Sequence, residues 1–400
     1  MTCTQTMLAV AELDRGVRSP IGTRSVPQRD ALAEPACLTD AGLTLSPMAT
    51  QKPEDANLSL DQFADMNRRF YASSSCPHGF IRQRVRAVLV AGSRDDHVLE
   101  AQRGLRLGNF VAGFPQDDPL LDPTSVNSFV MTESVVLFHH AAESLIRLVL
   151  AHIGDPACPW LEMRRLTFNR YHSDRDRLHE TLDTNETRRA LMAVFYGAES
   201  ADTASHPAIA GTWQALEAGL VQFLDVAIKQ LRSGGELYNA AKHGLAIAGG
   251  GDRMKLLDGP EEEGDGAVDD AQRMILSAEG HCLTYLHKDP TPPRWMMTVT
   301  WANPERNLAL AQLAANLIEN LWLVARAKYL TDAGDPPPKL HPPDILANTL
   351  RITGNRSGTN DMTVSTYLRY EDDGGVSGKV SFSYPADGSV DAGGAAATRL

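Results

Sequence analysis

The chain has 400 residues, 43% hydrophobic and 22% charged, a balance that excludes a wholly disordered polypeptide. A formal net charge of −12 excludes a chain-wide electrostatic footprint for nucleic acid, so any such binding has to use a local basic patch. No uninterrupted apolar run reaches the roughly 18 residues that span a bilayer, so neither an integral membrane protein nor a membrane partner is expected.

Residues 1–58 are broken by Pro20, Pro27, Pro35, Pro47 and Pro53 and read as a disordered arm. Met1–Arg15 lacks an early positive charge and a long apolar core, so no signal peptide is expected and the chain reads as cytoplasmic. The five cysteines (Cys3, Cys37, Cys76, Cys158 and Cys282) are widely spaced with no C-x-x-C pair, which argues against a disulfide framework and a structural zinc site.

A helical body is expected over 59–332. Phe63, Met66 and Phe70 have helical spacing, whereas the block Phe80–Leu107 is ambiguous, its Ala87–Ala91 fitting either a short strand or the middle of a helix. The clearest helix is Ser128–Ile153, capped somewhere in Thr124–Asn127 and ended by Gly154-Asp155-Pro156. Further helices are expected at Glu186–Tyr196, Ala208–Leu231, Glu236–Ala248 and Pro304–Tyr329, the last opened by Asn303-Pro304-Glu305. Between the last two, alternating segments at Arg253–Leu257, Arg273–Ala278, Cys282–His287 and Trp295–Trp301 read as a small antiparallel sheet inserted at about 252–301. Residues 333–384 form a proline-rich linker with short strands at Thr349–Thr353, Met362–Tyr370 and Val376–Tyr384, and 385–400 are a disordered tail. The expected fold class is therefore mainly α: a helical bundle with a small inserted antiparallel β-sheet and a short C-terminal β region.

Phosphate-loop, H-E-x-x-H and G-x-S-x-G motifs are absent. Gly249-Gly250-Gly251 follows a helix rather than preceding one, so it reads as a C-cap and turn. His281, Tyr285 and His287 share a strand face without a third ligand at recognised spacing, so neither a metal nor another cofactor is expected. Trp295, Trp301 and Trp322 read as core.

Two polar features carry chemistry. On the segment Tyr238-Asn239-Ala240-Ala241-Lys242-His243, Asn239 and His243 are one helical turn apart, flanked by Lys242 and Tyr238. An imidazole beside an amide, a phenol and an ammonium is suited to hold a phosphate and move a proton near neutral pH. On the long helix, Glu133, His140, Ser144 and Arg147 form one polar face with Glu143 at its edge. Such a stripe on an apolar helix is costly unless satisfied, so it faces either water or another polar stripe. Residues 164–189 are dense in arginine (Arg164, Arg165, Arg170, Arg175, Arg177, Arg188, Arg189) with Phe168 and Tyr171 between them, a pattern that fits RNA contact or a salt-bridged surface.

Asn239-Ala240-Ala241-Lys242-His243 resembles the N-x-x-x-H half of the R-N-x-x-x-H signature of HEPN domains. The resemblance covers roughly residues 123–332 and implies a helical bundle, often dimeric, many of whose members are metal-independent RNases. It implies catalytic roles for His243 and Asn239 and a looser role for Glu133 or Glu143 as the earlier-helix partner. Tyr238 stands where the signature has arginine, and a phenol cannot supply that permanent charge. Arg147 or Lys242 is the candidate replacement, with His140 in the same stripe. Two expectations follow: a HEPN-like binding or regulatory module with little or no catalysis, or a metal-independent RNase of toxin or defence type. An unrelated small-molecule enzyme using the Glu133, His140 and Arg147 stripe is a third.

Overall fold

The two longest helices, and the first one, start where a polar side chain takes up free backbone N–H groups. The computed structural model describes residues 58–330, apart from 74–75, 94–104, 108–109, 113–121, 205–206, 243, 245, 258–273 and 291–292, together with strands at 362–367, 369–370, 376–377 and 380–383. The proposed arm over 1–58 (except Leu58), the strand at Thr349–Thr353 and the tail lie outside the described residues. Helix α1 (Leu60–Ala72) opens with a capping box: Ser59 Oγ accepts from Gln62 N–H, and Gln62 Oε1 accepts from Ser59 N–H. The central helix α3 (Pro123–His152) is capped by Asp122, whose carboxylate accepts from the Thr124 and Ser125 N–H groups. It therefore starts five residues before the Ser128 expected from sequence, because Pro123 fits the first helical position.

Between them lies α2 (Pro77–Gly92), which settles the ambiguity at Ala87–Ala91 in favour of helix. Ile81, Val85 and Val88 recur at helical spacing and are buried against α3 and the last helix. After α3 come α4 (Pro159–Arg165), α5 (Phe168–Thr181), α6 (Asn185–Tyr196), α7 (Pro207–Gly211), α8 (Trp213–Ser233), α9 (Gly235–Ala241) and, beyond the sheet, α10 (Pro304–Tyr329). Two of these differ from expectation. The helix expected at Ala208–Leu231 is broken at Thr212, and the one expected at Glu236–Ala248 stops at Ala241, with Ile247 already in a strand.

Helices α3 and α10 form the spine. Ala141 and Ala142 on α3 and Ala311, Ala314 and Ala315 on α10 are fully buried, small side chains that let two apolar helices approach closely. By length and composition both could cross a membrane, yet 72% of each apolar window is buried inside the protein, as in a core helix.

The main sheet has the order β3-β4-β5-β6-β9, all antiparallel: β3 (Ile247–Leu257), β4 (Met274–Pro290), β5 (Pro293–Trp301), β6 (Met362–Tyr367) and β9 (Val380–Ser383). The segments expected at Arg273–Ala278 and Cys282–His287 are thus one long strand. The C-terminal strands extend this sheet: β6 pairs along β5, Val299 facing Val364. Two small ladders, β1 (Leu105–Leu107) with β2 (Phe110–Ala112) and β7 (Arg369–Tyr370) with β8 (Val376–Ser377), complete the described strands.

The triple glycine lies inside β3 and is neither a cap nor a turn. A Cβ on Gly249 would stand 2.4 Å from Ser128 Oγ, so a residue without a side chain lets β3 lie against α3. A separate apolar cluster then seats α9. Met131, Val135 and Val136 of α3 meet Leu237, Ala240 and Ala241 of α9 and Leu283 and Tyr285 of β4. Burying Leu237 contributes about 2 kcal/mol to this seating. Trp301 and Trp322 are core, as expected, but Trp295 is 58% exposed. It shares the outward face of β4–β5 with Leu286 and Met297, because the register pairs Trp295 with Lys288 and Leu286 with Met297.

Candidate functional site

With α9 pinned by its apolar side, Tyr238 reaches the polar stripe of α3, while Asn239 and Lys242 stay exposed. The two features found separately in the sequence meet: His140 Nε2 and Tyr238 Oη are 2.6 Å apart. The third member comes from α2. Arg84 Nη1 lies 2.9 Å from His140 Nδ1, and its Nη2 lies 3.6 Å from Glu133 Oε2. A chain of polar contacts thus runs from Glu133 through Arg84 and His140 to Tyr238, joining α3, α2 and α9.

The direction of the protons in this chain follows from donor chemistry. A guanidinium donates and does not accept, so His140 Nδ1 is the accepting nitrogen and Nε2 carries the proton in the neutral ring. Nε2–H donates to Tyr238 Oη, which leaves the phenolic O–H pointing elsewhere. Burial, then the Arg84 charge, holds the His140 pKa below its usual value, so the neutral ring is the relevant form. Burial and the Glu143 carboxylate push the Tyr238 pKa up, so it stays a phenol.

His139, the residue next to His140, packs the other way. Its ring stacks flat on Tyr238, centroids 3.9 Å apart and planes 6° apart. It is 6% exposed, and burial pushes its pKa down to about 4. Its Nδ1 has no hydrogen-bond partner among the described residues. The Lys242 ammonium lies 5.5 Å from the centre of the Tyr238 ring. Lys242 Nζ also donates to Asn239 Oδ1 at 3.1 Å, and both residues are exposed.

The remaining predicted site residues sit further along α3. Glu143 and Arg147 form an ion pair, Oε1 to Nε 2.8 Å. Arg147 also donates to the Leu166 carbonyl at 3.0 Å and lies 4.2 Å above the Tyr171 ring. Its guanidinium is engaged with α5 and the α4–α5 connection, and the guanidinium in contact with the His140–Tyr238 pair is that of Arg84. His243 lies outside the described residues.

Sequence reasoning missed Arg84 and His139. Arg84 lies in the segment whose type was ambiguous, and nothing local links it to His140, 56 residues away. His139 falls on the apolar side of α3 with Val135 and Ala142, where a histidine reads as core. The double histidine is the one signal that points to both faces.

Five of the seven arginines in the arginine-rich segment form ion pairs. Arg165 and Arg170 pair with Glu162, Arg170 and Arg177 with Asp174, Arg175 with Asp176, and Arg188 with Asp183. Among the described residues, no group of three His, Cys, Asp or Glu side chains is placed to hold a metal ion, and His287 instead contacts Thr298 Oγ1 at 3.0 Å. Comparison with known proteins finds no matching family model, no similar curated protein and no similar solved structure.

Proposed function

We propose that the protein is a HEPN-like helical module that binds its target on the polar face shared by α3 and α9 and turns it over weakly or not at all. The observation that carries this reading is the Tyr238–His140 contact. The residue standing in place of the signature arginine is built into a relay, and both nitrogens of His140 are engaged by it, at 2.9 Å and 2.6 Å. A ring held this way orients a partner and has no nitrogen available to shuttle a proton in this arrangement. The exposed Asn239 and Lys242 beside it are recognition groups.

The second reading is a metal-independent RNase with His243 and Asn239 as its catalytic groups. Arg84 favours it, since that residue brings a permanent positive charge next to the position the signature arginine would occupy.

Affinity for a single-stranded RNA oligonucleotide tests the first reading. Tyr238→Phe is expected to weaken binding several-fold, while Arg170→Gln with Arg177→Gln, which alters only ion-paired arginines, is expected to change it little. Binding carried wholly by the arginine segment and indifferent to Tyr238→Phe would contradict it.

A further inference from the structure

We propose that α9 is a latch released by acid: it stays seated while His139 and His140 of α3 are neutral and swings out when they take up protons. Its effect on the binding face rests on the reading above; the latch itself does not.

Helix α9 is short and hinged at both ends. It has seven residues, with Gly234 and Gly235 at its start and Gly244, in the left-handed region at φ 63°, just past its end. Its apolar side is held by Leu237 and two small residues, Ala240 and Ala241. Its polar attachment is Tyr238, which lies flat on His139 at 3.9 Å and meets His140 Nε2 at 2.6 Å.

This junction suits neutral rings only. His139 is buried against Tyr238, and its Nδ1 has no hydrogen-bond partner among the described residues. An imidazolium carries an N–H on both nitrogens, so charging His139 buries a cation whose Nδ1–H meets no acceptor. Moving Tyr238 aside admits the water that such a cation needs. His140 accepts at Nδ1 from Arg84, 2.9 Å away. A charged His140 has nothing left to accept with and sets its own N–H against the guanidinium.

The surrounding charges act in both directions. Arg84 of α2, Arg175 of α5 and Lys242 of α9 oppose protonation of the pair, while Glu133 and Glu143 of α3 favour it. Both carboxylates have cations of their own: Glu143 pairs with Arg147 at 2.8 Å, and Glu133 lies 3.6 Å from Arg84. Burial and the cations prevail, since both histidines are held below 6.5 and His139 is brought to about 4. Once the junction opens, the rings meet water and return toward 6.5. Opening therefore takes up protons; it is favoured below about pH 6.5 and not above it. Between about pH 7.5 and about pH 5.5, the His139 shift alone raises the opening constant about tenfold. Opening carries Tyr238, Asn239 and Lys242 off the binding face, so a target held there is released in acid.

Hydrogen exchange of the full chain, with no ligand present, tests the latch. The Tyr238 and Lys242 amides donate to the Gly234 and Tyr238 carbonyls and report on α9. After correction for the intrinsic rate, they are expected to open about tenfold more often at pH 5.5 than at pH 7.5, with little response to low urea. The amides of Phe223 and Leu224 in the buried part of α8 are expected to exchange far more slowly and to respond to urea, as global unfolding requires.

His139→Phe keeps a flat ring against Tyr238 that cannot charge, and is expected to remove most of the acid step. His140→Gln keeps an acceptor for Arg84 and a donor for Tyr238 without titrating, and the double variant is expected to show no step. Equal α9 opening at the two pH values, a step that survives in His139→Phe and the double variant, or a urea response matching that of α8 would overturn the proposal. Because no RNA takes part, failure of the binding reading would leave this result unchanged, and RNA binding that depends on Tyr238 would stand if the latch failed.

Discussion

Tyr238 lies flat against His139, ring centroids 3.9 Å apart and planes 6° apart, so the phenol is held by its face while its hydroxyl is held by His140 at 2.6 Å. The two adjacent histidines of α3 thus divide the work. One is a buried platform, and the other is a link in a polar chain.

This division predicts different costs for two substitutions. Tyr238→Phe keeps the stacked ring and removes one hydroxyl at a half-buried position, so it is expected to cost about 1 kcal/mol of stability. Tyr238→Ala also removes the stack and is expected to cost about 2 kcal/mol more. Urea unfolding of both variants measures the difference.

The close approach of β3 to α3 predicts a steric cost at one glycine. Gly249→Ala places a Cβ 2.4 Å from Ser128 Oγ, so either the strand or the helix has to shift, at about 1–3 kcal/mol. Ser128→Gly in the same chain removes the obstructing side chain and is expected to recover much of that loss. Thermal melts of the single and double variants show whether the two positions are coupled.

At the other end of α3, Tyr71 Oη meets His152 Nε2 at 2.5 Å, and His152 Nδ1 meets the Leu148 carbonyl at 2.6 Å. A carbonyl only accepts, so Nδ1 carries the proton and Tyr71 donates to Nε2. Tyr71→Phe leaves that nitrogen unpaired beneath a fully buried ring and is expected to cost about 1–3 kcal/mol. This exceeds the cost of Tyr238→Phe, whose surroundings are half open to water; the same unfolding measurements rank the pair.

Acid stability follows from the buried imidazoles. His139 and His152 both have pKa values lowered from 6.5 to about 4, with burial as the main cause. The unfolded chain therefore binds protons that the folded chain refuses, and stability is fully present above about pH 6.5 and falls as pH drops toward 4. The His139 shift from 6.5 to about 4 corresponds to a loss on the order of 3 kcal/mol. A urea midpoint that is flat above neutrality and declines across this window is expected, and His139→Phe should flatten the decline.

How much of this was legible in the sequence depends on whether the signal was local. Helix α10 was, because the Asn303 cap, Pro304 at the first position and a long apolar stretch all act within one element. The body of α3 was legible from its apolar stretch, though its Asp122 cap and Pro123 start were not. Helix α2 was not, because Arg82, Arg84 and Arg86 alternate like a strand while Ile81, Val85 and Val88 recur like a helix. Burial of the second set against α3 decides between them. The polar stripe of α3 and the Tyr238–Lys242 segment were each legible. Their meeting was not, since it depends on α9 being seated by Leu237 and Ala240 and on β3 passing close to Ser128. The same limit hid the partner of β6, which depends on a strand register formed across more than sixty residues of chain.

The most direct measurement is RNA turnover read alongside RNA retention in a single gel, for the parent, His243→Ala and Tyr238→Phe. The account predicts RNA retained largely intact by the parent, retention weakened by Tyr238→Phe, and at most a trace of product that depends on His243. Conversion of most of the RNA to product by the parent, lost in His243→Ala, would contradict it and identify the protein as a nuclease.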